Sequence, residues 1–365
     1  MRLDKKNAGD VTTPSPMVTG RVSIIIVNYN GYEYLKRCVT AVTANSYPDF
    51  EIIVVDNGST DSSAERLQAE FSDANLRLIA LSANLGPAAA RNRAAQVATG
   101  EFFAFLDNDT KPDGDWLVVP VERMVADPSI GAVQCRLMLL REPNRFDYVG
   151  DYLGSYGFLI QSVHAGDEDI GQADSETVIL SAKSAGMLVR RSAFIEAGGF
   201  DDDYFIYVEE TDLGLRLWLM DYRAIYVPQS RVLHEFGTSS IILGQQQNVL
   251  AKFHGTKNYV LTLVKNLEFR TLLRVLPIHI GFWLGYALLN LTKRRWQTSG
   301  LIIAGLWWNV TNVRSTLKKR KQIQRRRRVD DRSILRVVGR KDSFRALYAK
   351  AVAAQSVGNY TVSRK

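Results

Sequence analysis

Between Val22 and Asp109 the chain alternates short, almost uninterrupted apolar runs with segments of helical spacing. "VSIIIVNYN" (Val22–Asn30) is followed by "YEYLKRCVTAVTAN", in which Tyr34, Leu35, Cys38 and Val42 fall on one face. "FEIIVVDNGS" leads into "TDSSAERLQAEFSD", whose start offers Thr60, Asp61 and Ser62 as cap candidates. "LRLIALS" leads into "GPAAARNRAAQVA", opened by Gly86-Pro87, and "EFFAFLDND" closes the series. Strands with no polar alternation are buried on both faces, which is the habit of parallel sheets covered by helices. Three strand–helix repeats therefore predict an open, mostly parallel α/β sheet with crossover helices.

In such sheets ligands bind at the carboxyl ends of the strands. Here each strand ends in polar residues: Asn28-Tyr29-Asn30, Asp56-Asn57-Gly58, Asn84-Leu85-Gly86 and Asp107-Asn108-Asp109. One polar strand end is ordinary turn chemistry. Four on the same edge predict a polar crevice. Asp107 and Asp109, one residue apart where the chain turns, suit a hard divalent cation, Mg²⁺ or Mn²⁺, that completes its shell with substrate phosphates. The competing reading of this pair is a turn or helix cap. Asp113 and Asp115 match no role and read as solvated loop residues.

Beyond Leu117 the pattern loosens. "IGAVQCRLMLL", "VILSAKSAGMLVRR" and "RAIYVPQSRVLHEF" are strand-like, and "ETDLGLRLWLMDY" is an amphipathic helix. Asp201, Asp202, Asp203, Glu209, Glu210 and Asp212 crowd into twelve residues, more than one helix start requires. A carboxylate in a partly desolvated crevice among other acids gains proton affinity and can act as a general base. His234 is one of four histidines and reads either as a strand-end residue bonded to backbone or as a third metal ligand. Cys38 and Cys135 both lie in apolar runs, make no disulfide framework, and are expected as buried thiols of a reducing compartment.

Taken together, these residues resemble a family 2 glycosyltransferase of the GT-A fold, over roughly Val22 to Ser240. "VSIIIVNYNG", "IIVVDNGSTD", "NLGPAAARNRA", "FLDNDT" and "AGMLVRRSAFIEAGGFDDDYFIYVEETDLGLRL" occur in the expected order, followed by His234. The last long motif looks most like the rhamnosyltransferase-like branch, which builds surface polysaccharides. The resemblance implies inverting transfer from a nucleoside-diphosphate sugar, with dTDP-rhamnose favoured, to a hydroxyl of a glycan or lipid-linked acceptor. It implies that Asp56 recognises the base, that Asn28, Asn30 and Gly31 line the nucleotide pocket, and that Arg91 reaches the nucleobase or diphosphate. Asn84, Gly86 and Asn108, at the remaining strand ends, join this donor-binding set. Asp107 is expected near the ribose and on the metal, Asp109 on the metal, and His234 as the third ligand. Glu210 stands where the family usually has the Asp of an "ED" pair, so Glu-Glu replaces Glu-Asp. Glu210 is expected as the base, with Glu209 the other candidate and Asp212 a capping or base-orienting acid.

The net charge of +8 is local: Lys293–Arg328 holds twelve Lys/Arg and no Asp/Glu, so the rest of the chain is net acidic. Val275–Leu291 is 17 residues free of Lys, Arg, Asp and Glu, the lower limit for spanning a bilayer, and Ser299–Val313 is shorter. Keeping every basic residue on the cytoplasmic face of the cell membrane places both apolar segments in the interface as a peripheral or monotopic anchor. The polybasic run would then meet anionic lipid, with Trp283, Trp296, Trp307 and Trp308 at headgroup level. A soluble helical subdomain is the alternative. The expected organisation is a polar leader (1–20) without the apolar core of a signal peptide, a GT-A domain (21–245), an apolar and basic helical membrane-associating region (246–328) and a basic tail (329–365). Two other functions compete. A nucleic-acid-binding protein would use "KKRKQIQRRRR", but no nucleic-acid module accompanies it and none is expected as partner. A sugar nucleotidyltransferase would need a Gly-rich phosphate loop with a basic residue after the first strand, and "NYNGYEYLKR" is not one.

Overall fold

The computed structural model describes residues 15–71, 75–235 and 245–343; the expected leader up to residue 14 and the tail beyond 343 lie outside the described residues. In chain order the elements are β1 (Val18–Asn28), α1 (Tyr32–Thr43), β2 (Phe50–Asp56), α2 (Ser63–Glu70), β3 (Leu76–Ala80), α3 (Pro87–Val97) and β4 (Gly100–Asp107). Then come β5 (Thr110–Pro112), α4 (Val118–Ala126), β6 (Ile130–Leu139), β7 (Phe146–Tyr148), β8 (Asp151–Gly154), β9 (Leu159–Gln161), β10 (Thr177–Ile179) and β11 (Met187–Arg190). They are followed by α5 (Arg191–Ala197), a 3₁₀ turn (Asp202–Tyr204), α6 (Glu209–Leu219) and β12 (Arg223–His234). The C-terminal part comprises α7 (Gln245–Asn266), α8 (Phe269–Thr292), α9 (Trp296–Thr311), α10 (Val313–Arg326), α11 (Asp331–Val338) and β13 (Gly339–Arg340).

The main sheet has the order β10-β12-β6-β11-β4-β1-β2-β3. β3, β2, β1 and β4 are parallel, β6 and β12 run with them, and β11 and β10 run against them. The sheet is thus open and mostly parallel, as expected. Its two faces explain the unbroken apolar runs. Ile24, Ile26, Ile52, Val54 and Leu106 pack one face under α1 and α4, while Ile25, Ile53, Phe103 and Phe105 pack the other under α3, α5 and α6. The register places Asn28 opposite Asp56, Val27 opposite Asp107 and Asp56 opposite Ala80. Three polar strand ends therefore share one edge.

Several details differ from the sequence reading. β1 starts at Val18, so the last residues assigned to the leader pair with β4, Val18 lying opposite Gly100. "VILSAKSAGMLVRR" is two strands, β10 and β11, joined by a loop whose Ser181 bonds Asp151 and whose Ser184 bonds Glu210. Ser62 makes no cap bond at α2; Asp61 accepts from the Ser63 amide instead, at 3.1 Å. The start of the "tail" is packed structure: Ile334 and Val338 of α11 are buried, and β13 pairs with β8. Both cysteines are buried and unpaired, as expected, and burial pushes each thiol up to about 12.

Candidate active site

β4 ends at Asp107, the chain turns through Asn108 and Asp109, and β5 runs back antiparallel to β12 with Thr110 opposite His234. A backbone bond from Glu235 N to Asp109 O, 3.0 Å, closes this corner. The register thus carries His234, 127 residues away in sequence, onto the Asp-x-Asp turn. Ligand atoms of Asp107, Asp109 and His234 lie within 4.8 Å of one another. His234 Nε2 is 3.3 Å from Asp109 Oδ1, and His234 Nδ1 is 2.9 Å from Asp147 Oδ2. Asp109 Oδ1 is buried, with His234 Nε2 as its close polar neighbour. Two carboxylates and one imidazole converging in this way fit a divalent cation. Burial alone would lower the His234 pKa, but the carboxylates of Asp109 and Asp147 outweigh it and hold it well above the ordinary value.

Asp147, on β7, escaped the sequence reading because nothing in "RFDYVG" marks it. It is buried, and although burial opposes its charge, His234 keeps its carboxyl below the usual range. A carboxylate on the far nitrogen of a ligating imidazole fixes ring and tautomer.

At the β1–β2 edge the expected donor-binding residues form a continuous polar lattice. Asn28 is fully buried rather than lining the surface: its Nδ2 donates to Asp56 Oδ1 at 3.0 Å, and its Oδ1 accepts from Asn108 Nδ2 at 2.7 Å. It holds two strand ends in register from beneath. Asp56, also buried, accepts from Ser59 N and Ser59 Oγ at 3.1 and 2.6 Å, and Ser59 Oγ takes the Asn30 amide at 2.9 Å. Ser59 is a second residue the sequence reading missed, although it lies within the quoted "VVDNGST". A side chain at Gly31 would place its Cβ 2.5 Å from Asn108 Nδ2. Asn84 accepts from Asn57 Nδ2 and from the Gly86 amide, at 3.0 and 2.9 Å. Gly86 has φ +81°, and a Cβ there would meet the Phe205 carbonyl oxygen at 2.5 Å, so only glycine fits.

The acidic cluster divides in two. On the crevice side, Arg91 is buried and bridges Asp107 Oδ1 (2.8 Å) and Glu209 Oε1 (3.2 Å). It braces both acids from within the site. Glu209 is buried, and its Oε2 has no hydrogen-bond partner. Burial first, then the like charge of Glu210, push its carboxyl up to about 8 against the pull of Arg91. Glu210 is half-buried and accepts from Ser184 Oγ at 2.6 Å, a partner supplied by the β10–β11 loop.

On the other side, Asp212 has no exposed surface and ion-pairs with Arg216 (2.8 Å) and Lys265 (3.0 Å). The structure therefore does not bring it to the crevice with Glu209 and Glu210; its charge is consumed in a buried network. Asp201 pairs with Lys265 and Lys319, and Asp203 with Lys319, each at 2.5 Å. Part of the basic run is thus spent within the chain. The turn linking the two groups, Phe205 to Val208, holds Phe205, Tyr207 and Val208 at φ +60° to +69°. Non-glycine residues in that region cost on the order of 1–3 kcal/mol each, and such strain collects at functional sites.

Residues 23–196 match the family model described as glycosyl transferase family 2. O-antigen biosynthesis protein RfbC of Myxococcus xanthus is 29% identical over 248 residues, which are 64% of this chain and 19% of that much longer protein. N-acetylglucosaminyl-diphospho-decaprenol L-rhamnosyltransferase of Mycobacterium tuberculosis is 26% identical over 245 residues, 60% of this chain and 76% of that one. Among solved structures, the mannosyltransferase PcManGT of Pyrobaculum calidifontis, in complex with GDP-Man and Mn²⁺, aligns with a TM-score of 0.51 at 19% identity, covering 82% of this chain and 89% of that one. The likeness in structure shows a common fold, of the GT-A type.

Proposed function

We propose that the chain, whose residues 23–196 match the family model described as glycosyl transferase family 2, transfers a sugar from a nucleoside-diphosphate donor to a hydroxyl of a glycan or lipid-linked acceptor in surface-polysaccharide biosynthesis. The observation that carries this reading is the convergence of Asp107, Asp109 and His234 at the carboxyl edge of the sheet, with Glu210 half-exposed beside Arg91 and Glu209. Rhamnosyl transfer is the finer reading, in line with the name of the mycobacterial relative.

Asp107, Asp109 and His234 would hold Mg²⁺ or Mn²⁺, which when bound supplies positive charge to the departing diphosphate. Asp147 keeps the His234 ring aligned. Asn28, Asp56 and Ser59 set the shape of the nucleoside end, while Asn30, Gly31, Asn84, Gly86 and Asn108 form its rim. Glu210 accepts the acceptor's hydroxyl proton as its oxygen attacks the anomeric carbon, which inverts the centre. Arg91 stabilises the charge of Asp107 and holds Glu209 in place.

The direct test measures thermal stabilisation by a panel of nucleotide sugars with and without Mn²⁺, followed by transfer assays on the hits. Ligands of the native state raise apparent stability. Metal-dependent stabilisation by at least one donor is expected; no donor stabilising the protein, with no transfer, overturns the reading. Asp147→Asn is expected to weaken metal binding about 10–100-fold. A metal titration of activity should shift to higher concentration and reach nearly the wild-type maximum. An unmoved titration removes Asp147 from the site.

We further propose that the C-terminal helices attach to the cytoplasmic face of a membrane. α8 is the one helix among the described residues long and apolar enough to cross a bilayer. Its middle is tied to the α/β domain, however: His279 is buried, 3.0 Å from the Tyr156 carbonyl, and stacks on Phe158 at 4.1 Å. That tether favours an in-plane, monotopic helix over a spanning one. Phe269, Leu273, Leu284 and Leu288 of α8 and Trp296 and Trp307 of α9 are exposed. Trp283 and Trp308 instead turn toward the protein, against His279 and Lys257. Lys293–Arg295, Arg314, Lys318 and Lys321 remain exposed for anionic lipid. The protein is expected to stay with anionic vesicles in 1 M salt and to leave them in detergent; release by salt alone contradicts apolar insertion.

A further inference from the structure

α7 presents one stripe to the segment that carries the acids. His254, Lys257, Asn258, Thr262 and Lys265 recur at helical spacing. The His254 ring stacks on Phe205 at 5.3 Å, Lys257 Nζ donates to the Asp203 carbonyl, and Thr262 Oγ1 lies 2.6 Å from Tyr204 OH. Lys265 closes the stripe on Asp201. At its centre Asn258, fully buried, directs Nδ2 at three carbonyl oxygens: Tyr204 (3.0 Å), Ile206 (2.9 Å) and Tyr207 (2.7 Å). Its orientation is fixed, since a flipped amide would set Oδ1 against the same three oxygens.

Two of those carbonyls, of Ile206 and Tyr207, belong to the turn that enters α6. Phe205, Tyr207 and Val208 have positive φ there, a conformation that a β-branched valine adopts only when its surroundings impose it. Val208 is the N-cap of α6, and Glu209 and Glu210 are its first two residues. The direction in which the two acids leave the helix start thus depends on a strained turn, and a side chain from α7 holds two of that turn's four carbonyls. α7 is itself held from behind, where Asn309 of α9 donates to the Lys257 carbonyl at 3.1 Å.

We propose that Asn258 is a positioning residue for the Glu209–Glu210 pair, so that the C-terminal helical region forms part of the catalytic apparatus as well as an anchor. This rests on the reading of that pair as acceptor-side acids. A misplaced base loses rate while the donor, bound at the β1–β2 edge and the Asp-x-Asp turn, is unaffected.

The test compares full-length wild type with Asn258→Leu, which keeps the volume and removes the donor, and Asn258→Gln, which restores it. For Asn258→Leu we expect kcat to fall about 10–100-fold, with donor KM within about twofold of wild type. Asn258→Gln should recover at least about a third of the logarithmic loss. A merely structural asparagine would move the unfolding midpoint and leave kcat per folded molecule unchanged, and that result overturns the proposal. So does a loss shared equally by Leu and Gln, or one confined to donor KM. Should Asn258→Leu fail to fold, Asn258→Ala, which also removes the donor, takes its place under the same criteria. A wild type that transfers no sugar from any donor would instead sink the functional reading. Amide exchange across residues 204–210 then still decides the placement: faster exchange there alone in Asn258→Leu supports it, and no local change overturns it.

Discussion

Asp109→Asn is expected to stay folded and to lose Mg²⁺- or Mn²⁺-supported transfer by about 10²–10³-fold or more, the usual worth of one preorganised electrostatic contact to a developing charge. Folding should survive for a local reason. The corner is held by Asp109's backbone carbonyl, which accepts from Glu235 N, and asparagine keeps that carbonyl. The side chain's neighbour is His234, which retains Asp147 on its other nitrogen. What disappears is the charge on a buried carboxylate whose Oδ1 lies 3.3 Å from His234 Nε2. The measurement is initial rate against metal concentration, beside a thermal melt. It also separates Asp109 from Asp147: loss of a ligand lowers the plateau, whereas loss of the aspartate behind the histidine shifts the midpoint. Wild-type turnover in Asp109→Asn, with its metal dependence intact, would remove the metal site from the mechanism.

The half of the molecule that sequence revealed is the half governed by local periodicity. Strands β1 to β4 and helices α1 to α3 announce themselves because a doubly covered parallel strand must be apolar at every position. The polar ends of β1, β2 and β4 follow directly, and with them Asp56, Asp107 and Asp109. Residues that act through long-range pairing were less visible. Asp147 becomes part of the site only because β7 pairs with β6 beside β12, and nothing in its own neighbourhood signals that. Ser184 became visible only when the apparent strand "VILSAKSAGMLVRR" proved to be two strands with a loop between them.

Charge was the hardest to read. The acidic segment from Asp201 to Asp212 and the basic run after Lys318 each looked like a surface awaiting an outside partner. In the fold they partly answer each other, Lys319 bridging Asp201 and Asp203. Composition shows that charges exist but not which are already neutralised. This subtracts Asp212 from the reactive acids, and it concentrates attention on the two that begin α6.

Of those two, Glu210→Gln is expected to cut kcat by about 10²–10⁴-fold, the usual contribution of a general base, with donor KM within about twofold. Glu209→Gln is expected to cost far less, about tenfold at most. The difference follows from where each carboxylate lies. Glu209 is buried with one oxygen on Arg91, and burial and the like charge of Glu210 raise its proton affinity. An enclosed acid with one oxygen committed to Arg91 is poorly placed to take a proton from an acceptor arriving from solvent. Glutamine there still accepts from Arg91, so the brace on Asp107 survives. Glu210 is half-exposed, and its Oε1 accepts from both the amide and the hydroxyl of Ser184. Glu210→Asp, which keeps a carboxylate one methylene shorter, should retain more activity than Glu210→Gln. The three rates are to be compared at saturating donor and metal. If Glu209→Gln proves the crippled variant and Glu210→Gln turns over normally, the proton goes to Glu209, and Arg91 must then be read as the group that lowers its proton affinity once substrate is bound.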